Sequence, residues 1–270
     1  MLKTTPTFTN PPLSEVVCGV VFKRLPNFAI PHVGLLWQEY QPEFQLFREV
    51  PPLDDSMEGA QENSMILEPM VNMPLPRFWF LKPEDDEVIQ VQSDRFLYNW
   101  KPGTGGGEYP RFESVYAKFD SALSKFDKFV TESELGQLDY VRYELTYSNT
   151  IFDESGYTGI ETVASIIPRL EGIASMADGS YPVGVRCFTR FNIESCGATG
   201  LIEYRTFRQS DDPKPGFLMM LTIKGFPGDP LRMSRVEWFQ AAREWISRNF
   251  IEITSPHVQN TYWGKTNESV

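Results

Sequence analysis

The chain has 270 residues, 41% of them hydrophobic and 14% aromatic, which supplies a sizeable core and excludes an intrinsically disordered chain. Its formal net charge of −11 argues against contact with duplex nucleic acid or an anionic membrane, both of which call for local excess of Lys and Arg; the acidity keeps a chain soluble and, on a sharper reading, draws in a basic partner protein. Cys18, Cys187 and Cys196 are odd in number and form no Cys-x-x-Cys pair, the first residues hold no apolar signal core, and no run of eighteen apolar residues occurs, so a cytoplasmic protein without a disulfide framework is expected.

In chain order, Val16 to Phe22 reads as a strand buried on at least one face. Cys18, within it, and Cys187, within a later apolar run, read as small core residues. Pro31 fits the first turn of a helix whose apolar stripe is Val33, Leu36, Trp37 and Tyr40, with Pro42 as its stop. Residues 49 to 76 carry Glu49, Asp54, Asp55, Glu58 and Glu62 and read as a long acidic loop with a short strand at Met65–Leu67. Three strands follow, Phe78–Leu81, Val88–Gln92 and Phe96–Trp100, the first two joined by a charged turn at Glu84–Glu87. The Gly103–Gly107 loop leads into a helix with Phe112, Val115, Tyr116, Phe119, Leu123, Phe126 and Val130 on one face and Glu113, Lys118, Asp120, Lys125 and Asp127 on the other.

The order then repeats. Val141, Tyr143, Leu145 and Tyr147 alternate with polar residues as in a half-buried strand. Thr158 and Glu161 form a capping-box signature before a short helix of Ile160, Val163 and Ile167, ended by Pro168. Strands at Val183–Ile193, Leu201–Phe207 and Phe217–Lys224 precede a last helix, opened by Ser234 and Glu237 and faced by Val236, Phe239, Ala242, Ile246, Phe250 and Ile253. The chain thus reads as an α+β protein of two β-α-β-β-β-α pseudo-repeats, 1–132 and 133–270, joined in one body. A curved antiparallel sheet with its helices on one face is the arrangement that spares each half an unpaired edge. It is analogous to the saddle of TATA-binding-protein-like folds.

The catalytic inventory is poor. His32 and His257 stand far apart, and neither His-Glu-x-x-His nor Gly-x-Ser-x-Gly occurs, so neither a zinc centre nor a nucleophile–histidine pair is expected. The glycine loop matches no phosphate-cradle pattern. No cofactor or metal is expected, and the balance falls on the side of a protein without catalysis. The surface that invites binding lies on the strand from Val183, where Arg186, Phe188 and Arg190 share one side: two guanidinium groups flanking an aromatic ring suit a carboxylate, a phosphate or a base. The plainer alternative is that the arginines pair with acids such as Glu203 on the next strand and that Phe188 is core.

Asn10-Pro11-Pro12 with Glu15, Asp94-Arg95-Phe96 with Asn99-Trp100, Tyr109-Pro110 with Phe112, and Tyr262-Trp263-Gly264 together resemble a sporadically distributed family of uncharacterised bacterial proteins of similar length. The resemblance implies no activity. It points to Arg95, Asn99 and Trp100 as partner-binding residues or, together with Trp263, as signatures of the fold, and its patchy distribution suits defence or toxin–antitoxin modules. Lys101 stands where the motif would continue with Arg, which weakens any two-pronged anion contact there. The resulting expectation is a non-catalytic protein-interaction module, a neutralising or scaffolding subunit of such a complex. The alternative is a binder, or carboxylate-based enzyme, of a small anionic ligand or nucleotide in the concavity of the sheet.

Overall fold

Residues alternate faces along a strand, and in this chain the apolar half of each alternation is covered by helices. In a computed structural model, residues 7–53, 75–171, 178–208, 214–226 and 233–266 are described; the expected strand at Met65–Leu67 and most of the acidic loop lie outside them. The fold is mixed α+β with antiparallel strands, and it divides into two compact units, Cys18–Val141 and Met1–Val17 with Arg142–Val270.

The Cys18–Val141 unit holds the C-terminal half of β2 (Leu13–Phe22), α1 (Ile30–Tyr40), β3 (Leu46–Val50), β4 (Arg77–Leu81), β5 (Glu87–Gln92), β6 (Arg95–Trp100) and α2 (Phe112–Glu132), with strand order β3-β4-β5-β6-β2. Register places Phe80, Ile89 and Tyr98 in one row and Phe78, Val91 and Phe96 in the next, all on one face. Both helices pack there. Phe126 of α2 meets Phe96 at 5.2 Å, Phe22 at 5.8 Å and Phe28 at 6.4 Å between ring centroids, while Tyr40 of α1 meets Phe80 at 5.8 Å. The Tyr40 hydroxyl donates to the Ala122 carbonyl at 2.7 Å and ties the two helices together.

Strand β3 is a departure from expectation: the unit has four strands between its helices rather than three. Leu46 and Phe47 are exposed, so the segment shows no alternation to read; it forms because its backbone pairs with β4 and because Phe47 leans on Phe78 and Phe80. Helix α1 ends at Tyr40, before Pro42, and its first turn is capped from within: the Ala29 N–H donates to His32 Nδ1 at 3.1 Å.

The second unit contains β1 (Thr7–Phe8), the N-terminal half of β2, β7 (Tyr140–Ile151, all but its first two residues), α3 (Val163–Ile166), β8 (Arg186–Ile193), β9 (Ala198–Arg208), β10 (Pro215–Gly225), α4 (Arg235–Ile253), α5 (Pro256–Thr261) and β11 (Lys265–Thr266). Its main strands run β2-β7-β10-β9-β8, and β1 pairs with β11. Phe217, Met219, Leu221 and Ile223 of β10 are buried. Helix α4 covers the end of that face: Trp238 meets Tyr143 at 5.5 Å and donates its indole N–H to the Cys196 carbonyl. Gly200 lies so close under Trp245 that a β-carbon there would come within 2.8 Å of the ring.

The capping box of α4 forms as expected, with Ser234 and Glu237 bonding each other's backbone N–H, a device of about 1 kcal/mol. Its apolar face is rotated from the expected one, with Trp238 buried and Val236 exposed. The box expected at Thr158 and Glu161 does not form. Thr162 bonds that turn instead, its hydroxyl donating to the Gly159 carbonyl at 2.7 Å, and a 3-10 turn at Ile160–Thr162 leads into α3. No helix among the described residues is long and apolar enough to cross a membrane.

Because Phe126 is fully buried among three other rings, Phe126→Ala is expected to cost about 3–5 kcal/mol, read as a lowered urea midpoint with an unchanged slope.

Candidate functional site

Strand β8 ends the strand order of its unit, so one of its edges has no described neighbour strand. Pairing across the strands sets rows on the face opposite α4: Arg186 with Arg205 and Leu218, Phe188 with Glu203 and Met220, Arg190 with Leu201 and Thr222. Arg186, Phe188 and Arg190 therefore do share one side. Phe188 is 55% exposed and not core. Arg186 pairs with Glu203 at 3.4 Å, as the plainer alternative held for this residue, and the Arg190 guanidinium lies 5.4 Å over the Phe188 ring. These rows hold three arginines and one acid, Glu203. Cys187, on the other side of the same strand, is half-buried rather than fully in the core; burial raises its thiol above the ordinary range.

The motif residues of the Cys18–Val141 unit have a different setting. Arg95, Asn99 and Trp100 are all buried. The Trp100 ring meets Tyr109 at 5.0 Å in a tilted pair, which links two of the four motifs. The other two also meet: the Thr9 and Asn10 N–H groups donate to the Gly264 and Trp263 carbonyls, both at 3.1 Å. Gly264 has φ +60° and no room for a β-carbon beside Thr9. These contacts give the motifs work within the fold.

Arg95 and Asn99 belong to a buried polar network on the face of their sheet opposite the helices. Gln90 Oε1 accepts from Arg77 Nη1 at 2.9 Å and from the Trp79 indole at 3.0 Å, and Gln90 Nε2 donates to Asn99 Oδ1 at 2.7 Å. Beside it, Gln92 exchanges two bonds with the Leu53 backbone, and both Gln92 and Arg95 donate to Asp94. Arg77 is half-buried; desolvation first, then the nearby Arg95 charge, lowers its pKa from the usual arginine value.

A second cluster lies on the helix side. The sequence reading placed Glu87 in the charged turn, but it is the first residue of β5, buried in line with Ile89 and Val91. Its carboxylate accepts from Lys118 at 2.5 Å, from Lys82 at 3.0 Å and from the Tyr98 hydroxyl. Burial pushes this carboxyl upward, yet the hydrogen bonds from Lys118, Tyr98 and Lys82 outweigh it and hold it below the usual carboxylate range. The signal that reveals it is the spacing Glu87-x-Ile89-x-Val91, which puts a carboxylate on an apolar face. Asp85 stays in the turn and pairs with Lys101 at 2.7 Å. The glycine loop is pinned to the same turn by Thr104 N–H to the Glu84 carbonyl at 3.1 Å. Among the described residues no group of three or more His, Cys, Asp or Glu could hold a metal ion.

Removing Gln90 takes the acceptor from the half-buried donors of Arg77 and Trp79 and the donor from the buried Asn99; Gln90→Ala is expected to destabilise by about 1–3 kcal/mol, measured by chemical unfolding. A carboxyl whose pKa is lower folded than unfolded adds stability above its unfolded value, and that stability is lost as pH falls through the folded value. Glu87→Gln is therefore expected to lower stability at neutral pH, with the gap to the parent protein closing below about pH 4 in urea titrations at stepped pH. No protein-family model, curated protein or solved structure matches this chain.

Proposed function

We propose that the protein is a non-catalytic interaction module that seats an acidic stretch of a partner protein on strand β8. The observation that carries this reading is the exposure of Phe188 between Arg186 and Arg190 on the face away from α4. A large aromatic left 55% exposed beside arginines has the composition of an interface anchor. The basic patch on a chain of net charge −11 supplies local steering toward negative charge. The defence or toxin–antitoxin setting belongs to this proposal and is supported by the motif resemblance alone.

The two units also favour one plan. Each has a three-strand meander whose last strand lies beside one long earlier strand, β4-β5-β6-β2 in one and β8-β9-β10-β7 in the other. This supports the reading of two β-α-β-β-β-α copies, with β3 as an addition, by analogy with TATA-binding-protein-like folds. A second reading, a nucleotide or other small anion held at the same place, is favoured by the flat surface that Arg190 and Phe188 make together.

Phe188→Ala combined with Arg190→Glu is expected to leave the melting temperature within a degree or so, since exposed changes of this kind alter stability by under ~0.5 kcal/mol. In affinity purification from the native host, the parent chain is expected to retain a stoichiometric partner that the double variant loses. Equal recovery with both chains, or none with either, counts against the proposal. A thermal shift with a nucleotide panel that the double variant abolishes would move the conclusion to the second reading.

A further inference from the structure

The strongest feature outside β8 is a groove in the Cys18–Val141 unit, on the helix side of its sheet. Ser114, Ala117, Lys118, Ser121 and Lys125 recur every three or four residues along α2 and line one wall. Their side chains are small or flexible, so the helix fills little of the space between itself and the end of α1. What is left is a groove of about 320 Å³. Ile89 and the Tyr98 ring lie along its floor, and Tyr40 and Phe44 line the opposite side.

At its base lies the Glu87 cluster. Tyr98 remains a neutral phenol there, its pKa raised by burial first and by the Glu87 hydrogen bond second. Lys82 and Lys118 against Glu87 leave one positive charge over. The Lys118 side chain is 45% exposed, against 5% for Glu87, so its ammonium stands between the buried carboxylate and the open groove. An ammonium has three N–H donors; among the described residues, the carboxylate of Glu87 is the one acceptor seen for Lys118. Lys125 adds a second ammonium at the rim, over the Tyr40 ring at 5.0 Å, with Glu43 as the other acid on the lining. A buried ion pair contributes little net stability compared with apolar filling, so stability alone does not account for a void built around one.

We propose that this groove binds a small organic anion: a phosphate or carboxylate head at Lys118, on a single flat apolar ring lying over Ile89 between Tyr98 and Phe44. The volume is at the small end for ligand sites, which suits one ring and not a dinucleotide. The site is separate from β8, and neither proposal depends on the other.

Phenyl phosphate is the probe, measured by calorimetry at low ionic strength, with inorganic phosphate and phenol as its two halves. Phenyl phosphate is expected to bind saturably and at least about tenfold more tightly than either half. Lys118→Gln is expected to weaken it about tenfold or more. Ser121→Trp, on an exposed position of α2, fills the groove without removing any member of the Glu87 cluster and is expected to abolish binding while the melting temperature holds. Absence of saturable binding by the parent chain overturns the proposal. So does equal affinity in the parent chain and the Ser121→Trp variant, which stands as the control should Lys118→Gln disturb the fold.

Discussion

Phe126 and the rings around it organise the Cys18–Val141 unit. One side chain of α2 reaches strands β2 and β6 through Phe22 and Phe96, and the segment before α1 through Phe28. Once that contact is made, the alternation of each strand assigns every other residue to its face. Tyr98 and Glu87 must then lie under the helix, and Gln90, Gln92 and Asn99 must lie on the reverse. The two polar clusters of the unit are consequences of one apolar packing decision.

The two faces solve the cost of buried polarity differently. On the reverse face amides bond to neighbours or backbone, and the buried Arg95 guanidinium is paired with Asp94. On the helix face a full charge is buried, and it takes two lysines and a phenol to hold it. The first arrangement joins side chains of neighbouring strands. The second leaves a surplus of positive charge at an opening, which is what turns packing into chemistry. In the second unit Arg142 and Lys224 share the partly buried Glu144, while on β8 the largely exposed Arg186 pairs weakly with Glu203 beside the exposed ring of Phe188.

Elements with strong periodicity were legible from the letters: the apolar stripe of α2, the alternation of β7 and the Ser234–Glu237 cap all stand where their residues put them. The pairing of Arg186, Phe188 and Arg190 on one face also followed from period two alone. What escaped reading depends on tertiary partners. Strand β3 exists through its pairing with β4, and its own residues carry no pattern. Val236 fits a helical stripe as well as Trp238 does, and only the position of Tyr143 decides between them. Glu87 sits one residue from an acidic turn, so composition hides it; its role emerges when register sets it opposite Trp100 and beneath Lys118. Motif residues such as Trp100 and Trp263 could be located but not assigned, because a letter pattern does not distinguish a ring that packs inside from one that greets a partner.

The clasp between Thr9–Asn10 and Trp263–Gly264 has a consequence for how the protein is made. Residues near the start of the chain belong to the same unit as residues near its end, with β1 and β11 paired across more than two hundred and fifty positions. The Cys18–Val141 segment emerges from the ribosome whole and can condense early. Strand β1, in contrast, waits for its mate until the residues up to β11 have been made, 259 positions on. For that interval its unpaired edge is a target for chaperones, or for any other chain able to donate a strand.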